Sequence, residues 1–165
     1  MPSLDEVCAA FPDVPLNIEV KQRAPAIVER VLATLDAHGA RDRALLAAEH
    51  HDIMETIRAA APDVLTSFSA HEVADFVARF EAGRWSDYRP AGVALQVPPS
   101  FGEVTIVSAD TVDAAHRLGL EVHVWTINDP AAVTALLALG CDAIMTDVPH
   151  LTATAIAAAR ARGRS

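Results

Sequence analysis

LEVHVWTINDPAAVTALLALGCDAIMTD, residues 120–147, reads as a complete strand-helix-strand unit. An apolar run ending near Thr126 is followed by Asp129, a residue type that suits an N-cap, and by Pro130, whose fixed φ suits the first helical position. The helix runs to Gly140, and a second apolar run covers Ala143 to Thr146. Strands that are apolar on both faces and separated by helices belong to a parallel sheet covered by helices. This stretch therefore selects an α/β fold, either a doubly wound sheet or a (β/α) barrel.

The same rhythm extends towards the N-terminus. A strand at Leu16 to Val20 leads into a helix from about Pro25 to His38, with Pro25 in its first turn and Gly39 as its cap. Ile27, Val28, Val31, Leu32 and Leu35 make its apolar face. A strand at Ala44 to Ala48, a helix from about Asp52 to Ala60 and a strand at Val64 to Thr66 follow, the helix stopping before Pro62. Ser69 and Glu72 have capping-box spacing ahead of a helix with Val73, Phe76, Val77 and Phe80 on one face. Beyond a loop holding Trp85 and Tyr88 come the strand GVALQV and the helix SADTVDAAHRLG, closed by Gly119. No linker or compositional break divides residues 1–165, so one domain is expected.

Composition narrows the function classes. The chain has 165 residues, 52% hydrophobic, enough for a substantial core, and a formal net charge of −9 that disfavours nucleic acid and anionic membranes as partners. No apolar run approaches the roughly 18–20 residues of a membrane span, and the start lacks the basic region of a signal peptide. A soluble, cytoplasmic chain is the expectation. Cys8 and Cys141 have no Cys or His at ligand spacing, so both read as buried reduced thiols.

In a parallel α/β architecture the functional site lies at the C-terminal ends of the strands, where Glu19, Lys21, Trp125 and Asp147 all fall. Within LNIEVKQ, residues 16–22, alternation sends Glu19 and Lys21 to one side and Ile18 and Val20 to the other. The run reads as a buried strand, so an acid and a base are expected to be buried together, as a structural ion pair or as a site for a metal and an anion. Desolvation makes a buried ion pair a costly core element. Trp125 is either an apolar wall of the core or a surface for substrate. Asp147, ahead of a helix near His150, reads as a cap. His50 and His51 suit a solvated loop, His123 a satisfied core position, and His38, His71, His116 and His150 the surface.

LNIEVK together with GLEVHVWTINDPAAVTALLALGCDAIMTDVP resembles the glycerophosphodiester phosphodiesterase family. The resemblance carries over an Asn-Ile-Glu-Ile-Lys strand, matched at Asn17 to Lys21, and a closing Trp-Thr-Val-Asn and Thr-Asp-x-Pro signature, matched between Gly119 and Pro149. It implies that Glu19 is a ligand of a divalent cation, Ca²⁺ or Mg²⁺, that Lys21 contacts phosphate and that Trp125 faces substrate. A barrel would gather the three at one mouth. The implied reaction is metal-assisted hydrolysis of a glycerophosphodiester to sn-glycerol 3-phosphate and an alcohol, a step of glycerol and lipid metabolism.

The same resemblance implies that residues 1–165 are the C-terminal portion of a (β/α)8 TIM barrel lacking its first strands. The family's His-Arg-Gly, Glu-x-Asp and His-Asp motifs, which hold its catalytic His pair and further metal carboxylates, precede the strand matched at Asn17 to Lys21 and are not matched ahead of it here. No catalytic residue is identified, the cation's ligand set is incomplete, and the chain is expected to fall short of catalysis by itself. Ala48 and Glu49 depart from the family's Ser at that strand. A non-catalytic barrel remnant or truncated fragment, binding phosphate or a partner, is the alternative, and an unrelated phosphate-handling barrel a third. Open edges at the first and last strands imply self-association. The six strand candidates plus three absent ones exceed a barrel's eight, so Val64 to Thr66 or GVALQV is expected not to be a barrel strand.

Overall fold

Strands and helices alternate along the computed structural model of this chain, in which residues 1–162 are described. Two compact units make it up, and the boundary falls inside one helix. The first comprises Met1–Phe76 and Ala91–Val93, the second Val77–Pro90 and the chain from Ala94 onward.

The first unit opens with helix α1 (Leu4–Ala10), started by a capping box in which Ser3 and Glu6 each bond the other's backbone N–H. Strand β1 (Leu16–Glu19), helix α2 (Val28–Ala37), strand β2 (Ala44–Ala47), helix α3 (His51–Ala60) and strand β3 (Leu65–Thr66) follow. The strands form a parallel sheet in the order β1-β2-β3, with Leu16 opposite Ala44, Glu19 opposite Ala47 and Leu45 opposite Leu65. Parallel neighbours need a crossover, which α2 and α3 provide.

Alternation along these strands decides what the helices cover. Val20, Ala44, Leu46 and Ala48 join Val28, Leu32 and Leu35 of α2 and Ile53, Met54 and Ile57 of α3 in one buried cluster. Each fully buried Val, Leu, Ile or Met side chain among them contributes about 1.5–3 kcal/mol. Asn17, Glu19 and Lys21 point the other way and are exposed. The expectation of a buried acid and base is thereby corrected: only Leu16, Ile18 and Val20 pack against the core, and the face that carries Glu19 and Lys21 is exposed.

A polar lock joins α3 to helix α4 (Ala70–Ala82). The Arg58 guanidinium donates to Thr66 Oγ1 at 3.0 Å, to the Ser67 carbonyl at 3.0 Å and to Glu72 Oε2 at 3.2 Å. Glu72 also accepts the Ser69 backbone N–H at 2.8 Å, completing the capping box expected there. Burial pushes the Glu72 carboxyl up, but the bonds from Arg58 and Ser69 outweigh it and hold the group below its ordinary value. Nearby, Val93 donates its N–H to the Thr66 carbonyl at 2.8 Å, and a Cβ on Gly92 would lie 2.7 Å from Thr66 O and 2.8 Å from Ser67 O. Only a residue without a side chain fits so close to that backbone.

The second unit holds strand β4 (Ala94–Val97), a small hairpin of β5 (Ser100–Phe101) and β6 (Val104–Thr105), helix α5 (Ala109–Arg117), strand β7 (Glu121–Val124), helix α6 (Pro130–Ala138), strand β8 (Ala143–Ile144) and helix α7 (Pro149–Arg162). Its sheet is parallel in the order β4-β7-β8, with Val97 opposite Val124 and His123 opposite Ala143. Leu95, Val97, Val122 and Val124 lie on the buried face, while Gln96, His123 and, beyond the strand, Trp125 share the other. Asp129 caps α6 by accepting from Ala131 and Ala132 at 3.2 and 3.1 Å, with Pro130 at the first helical position as expected.

Val64 to Thr66 and GVALQV each contain a parallel strand, so all six strand candidates are present as strands. Pro25 is not helical: residues 23–26 form a turn, held by the Gln22 side chain donating to the Pro25 carbonyl at 2.7 Å, and α2 starts at Val28. His116 is exposed, as expected, and bonds Asp142 at 2.9 Å, while His38 is half-buried and bonds Asp5 at 2.9 Å. Cys8 and Cys141 are buried free thiols, as expected, and burial, with Asp142 adding to it, pushes the Cys141 thiol up to about 11. No helix among the described residues is long and apolar enough to cross a membrane.

Two measurements check this packing. Gly92→Ala drives a methyl group into the β3 backbone, and urea denaturation is expected to show a loss of about 1–3 kcal/mol. Glu72 has a carboxyl held below its ordinary 4.5, so its contribution is fully present above that pH and is lost as pH falls through the lowered value. Glu72→Gln is therefore expected to cost roughly 2 kcal/mol at pH 7 and progressively less towards pH 3. Equal costs at both pH values would contradict the lock.

Candidate functional site

At the C-terminal end of β1, Lys21 Nζ lies 3.1 Å from Glu19 Oε2, with 78% and 41% of the two side chains exposed. An ion pair so open to water is worth under about 1 kcal/mol. Either partner can therefore be drawn to a competing ligand at little cost. Arg23 follows on the same exit and pairs with Asp52 at the start of α3, at 2.8 Å. Hydrogen bonding from Arg23 holds the Asp52 carboxyl below its ordinary value. Sequence reading missed Arg23, although the run Lys-Gln-Arg placed two cations at alternate positions there.

The ends of β2 and β3 are polar as well. His50 precedes α3, and His51 is its first residue, with Nδ1 2.9 Å from Ser69 Oγ and its ring 5.0 Å from that of His71. His51 is thus fastened to the residue that caps α4, which corrects the reading of it as part of a solvated loop.

In the second unit, Trp125 directly follows β7 and is 42% exposed. Its N–H donates to the Val97 carbonyl at 3.1 Å, and the Ile127 N–H donates to the Met145 carbonyl at 2.9 Å. His123, 12% exposed, is the satisfied histidine expected: Gln96 Nε2 lies 3.2 Å from Nδ1 and Glu121 Oε2 lies 2.8 Å from Nε2. With Gln96 donating to Nδ1, the ring proton sits on Nε2 and goes to Glu121.

Asn128 links the ends of β7 and β8. Its Oδ1 accepts the Thr146 hydroxyl at 3.0 Å and the Asp147 N–H at 2.9 Å, and its Nδ2 donates to Asp147 Oδ2 at 3.0 Å. The Thr146 hydroxyl in turn accepts from the Val148 N–H and the Thr152 hydroxyl, each at 3.1 Å. Asp147 therefore bonds Asn128 rather than capping α7, because Thr146 already serves the N–H that precedes the helix. Asn128 belongs to the signature quoted above, but its partners are not legible from that strand alone.

A divalent cation of the hard type takes six or more oxygens. Among the described residues no three His, Cys, Asp or Glu side chains converge to hold a metal ion, and Glu19 stands against Lys21. The residues present do not by themselves fit such a cation. His38, His116 and His123 each lie beside a carboxylate, that of Asp5, Asp142 and Glu121 in turn.

Residues 2–151 match the Glycerophosphoryl diester phosphodiesterase family. The chain is 26% identical over 159 residues to the Probable glycerophosphodiester phosphodiesterase 2 of Mycobacterium tuberculosis, a match covering 89% of this chain and 56% of that protein. A glycerophosphodiester phosphodiesterase from Agrobacterium tumefaciens superposes with a TM-score of 0.72 at 16% identity, over 94% of this chain and 62% of that one. A phosphodiesterase from Oleispira antarctica, solved with the product sn-glycerol-3-phosphate, gives a TM-score of 0.66 at 20% identity, over 94% and 61%. At those identities the two structures speak for a TIM-barrel-like α/β fold alone. The chain spans between half and two thirds of the length of these relatives. With the family matched along nearly all of its length, this chain belongs to the glycerophosphoryl diester phosphodiesterase family.

Proposed function

We propose that residues 1–165 form the C-terminal portion of a (β/α)8 barrel that handles glycerophosphodiesters. The observation that carries this reading is the exposed Glu19 and Lys21 pair at the end of β1, on the face turned away from α2 and α3. A phosphate approaching there would take Lys21 from Glu19, gaining a positive charge just beyond the end of β1 where phosphoryl charge accumulates. Glu19, released, is the carboxylate this chain would offer to Ca²⁺ or Mg²⁺. Trp125 would lie against the substrate in the second unit. Six parallel strands, three in each sheet, are fewer than the eight of a closed barrel.

By itself, the chain is proposed to bind the phosphate-bearing product without hydrolysing the diester. One carboxylate is not a metal shell, and positioned acid-base groups typically contribute about 10²- to 10⁴-fold. The strands β1 and β8, each at an edge of its own sheet, are proposed to support self-association. Light scattering across a dilution series checks that point, with a monomer at every concentration counting against it.

The main test uses the purified chain with glycerophosphocholine and Mg²⁺ or Ca²⁺, alongside calorimetry with sn-glycerol 3-phosphate. Negligible turnover is expected, with product binding weakened about tenfold, or 1.4 kcal/mol, by Lys21→Ala. Turnover matching a full-length relative and abolished by Glu19→Ala would overturn the incomplete-site reading. Product binding indifferent to Lys21→Ala would overturn the phosphate assignment.

A further inference from the structure

The segment from Trp125 to Asn128 leaves one sheet neighbour and joins another. At Trp125 the backbone bonds β4 through Val97, and at Ile127 it bonds the chain just beyond β8 through Met145. Trp125 is thus held on one side by a backbone bond, while the course of the segment beyond it is set by the Ile127 bond together with what Asn128 grips. That grip is fully determined. Two donors, the Thr146 hydroxyl and the Asp147 N–H, converge on Asn128 Oδ1, which leaves Nδ2 to face the Asp147 carboxylate. The Thr146 hydroxyl spends its single proton on Asn128 and fills both lone pairs, from Val148 and Thr152. No group in this network has an alternative arrangement that keeps every bond, so the carboxamide cannot turn over without leaving a donor facing a donor.

We propose that Asn128 is the positioning residue for Trp125: its carboxamide, locked between Thr146 and Asp147, fixes the turn after β7 and so the direction in which the exposed indole is presented. The proposal rests on the reading that Trp125 meets the substrate only for its purpose; the clamp itself is tested without any ligand. Side chains that merely fill space at this turn would tolerate isosteric change, whereas a clamp depends on one amide nitrogen facing one carboxylate.

Asn128→Asp keeps the shape and the Oδ1 acceptor but sets a carboxylate against that of Asp147, at the 3.0 Å now spanned by the amide bond. Like charges at that separation raise the pKa of the pair, and one shared proton at low pH restores a donor between the two oxygens. Asp129 is occupied with the α6 N-terminus and His150 is the second residue of α7; both are present in the parent and in every variant, so comparison with the parent controls for them.

The experiment reads Trp125 fluorescence in a Trp85→Phe background, which leaves a single indole. Asn128→Ala is expected to shift emission to the red and raise acrylamide quenching at every pH from 5 to 8. Asn128→Asp is expected to do so at pH 8 and to return towards the parent at pH 5, with far-UV circular dichroism unchanged throughout. Emission and quenching that match the parent in both variants at pH 8, with the fold intact, would overturn the proposal. Should Asn128→Ala fail to fold, the pH-dependent return of Asn128→Asp still decides it, since a defect of packing alone does not reverse with pH. Failure here leaves the Lys21 test untouched, and failure of product binding leaves this one untouched.

Discussion

Strand alternation is the constraint on which the rest depends. A parallel strand must give one set of side chains to the helices that return the chain, and its other set is then committed to the opposite face. In β1 the core takes Leu16, Ile18 and Val20, so Asn17, Glu19 and Lys21 have no choice of side. In β7 the buried positions are Val122 and Val124, so His123 and Trp125 share the other. The polar chemistry of the chain is thereby placed by its hydrophobic residues, at no separate energetic cost.

Much of the fold was legible because its signals are local. Asp129 and Pro130 start α6 by their own chemistry, Ser69 and Glu72 bond each other at the start of α4, and Gly39, Gly119 and Gly140 take the positive φ angles that end helices. What stayed hidden was either very short or depended on distant partners. The hairpin of β5 and β6 has two residues per strand, and its Phe101 and Val104 pair is exposed, so it leaves no burial pattern to read. Pro25 fits a helical first turn and a preceding turn equally well, and only the Gln22 bond to its carbonyl tells them apart.

The site shows the same division. Which side Glu19 and Lys21 take follows from counting along the strand, but how much water reaches them does not, because exposure is set by what lies across the face. Asn128 is in plain view in the signature, yet its partners Thr146 and Asp147 are contributed by the far strand of the βαβ unit. Arg58 likewise reads as a helix-surface cation until Thr66, Ser67 and Glu72 are seen around it. Hydrogen-bond networks between elements are written in pairs of residues, and one sequence displays the members without the pairing.

Thiol labelling at consecutive positions of β1 tests the face assignment most directly. Single cysteines at residues 18, 19, 20 and 21, in a chain with Cys8 and Cys141 replaced by alanine, are labelled under native conditions and their rates compared. The account predicts fast labelling at 19 and 21 and slow labelling at 18 and 20, following the burial of Val20 at 1% and the exposure of the Glu19 and Lys21 side chains at 41% and 78%. Uniform rates along the strand, or fast labelling at 18 and 20, would contradict it and remove the basis for placing a phosphate site at Lys21.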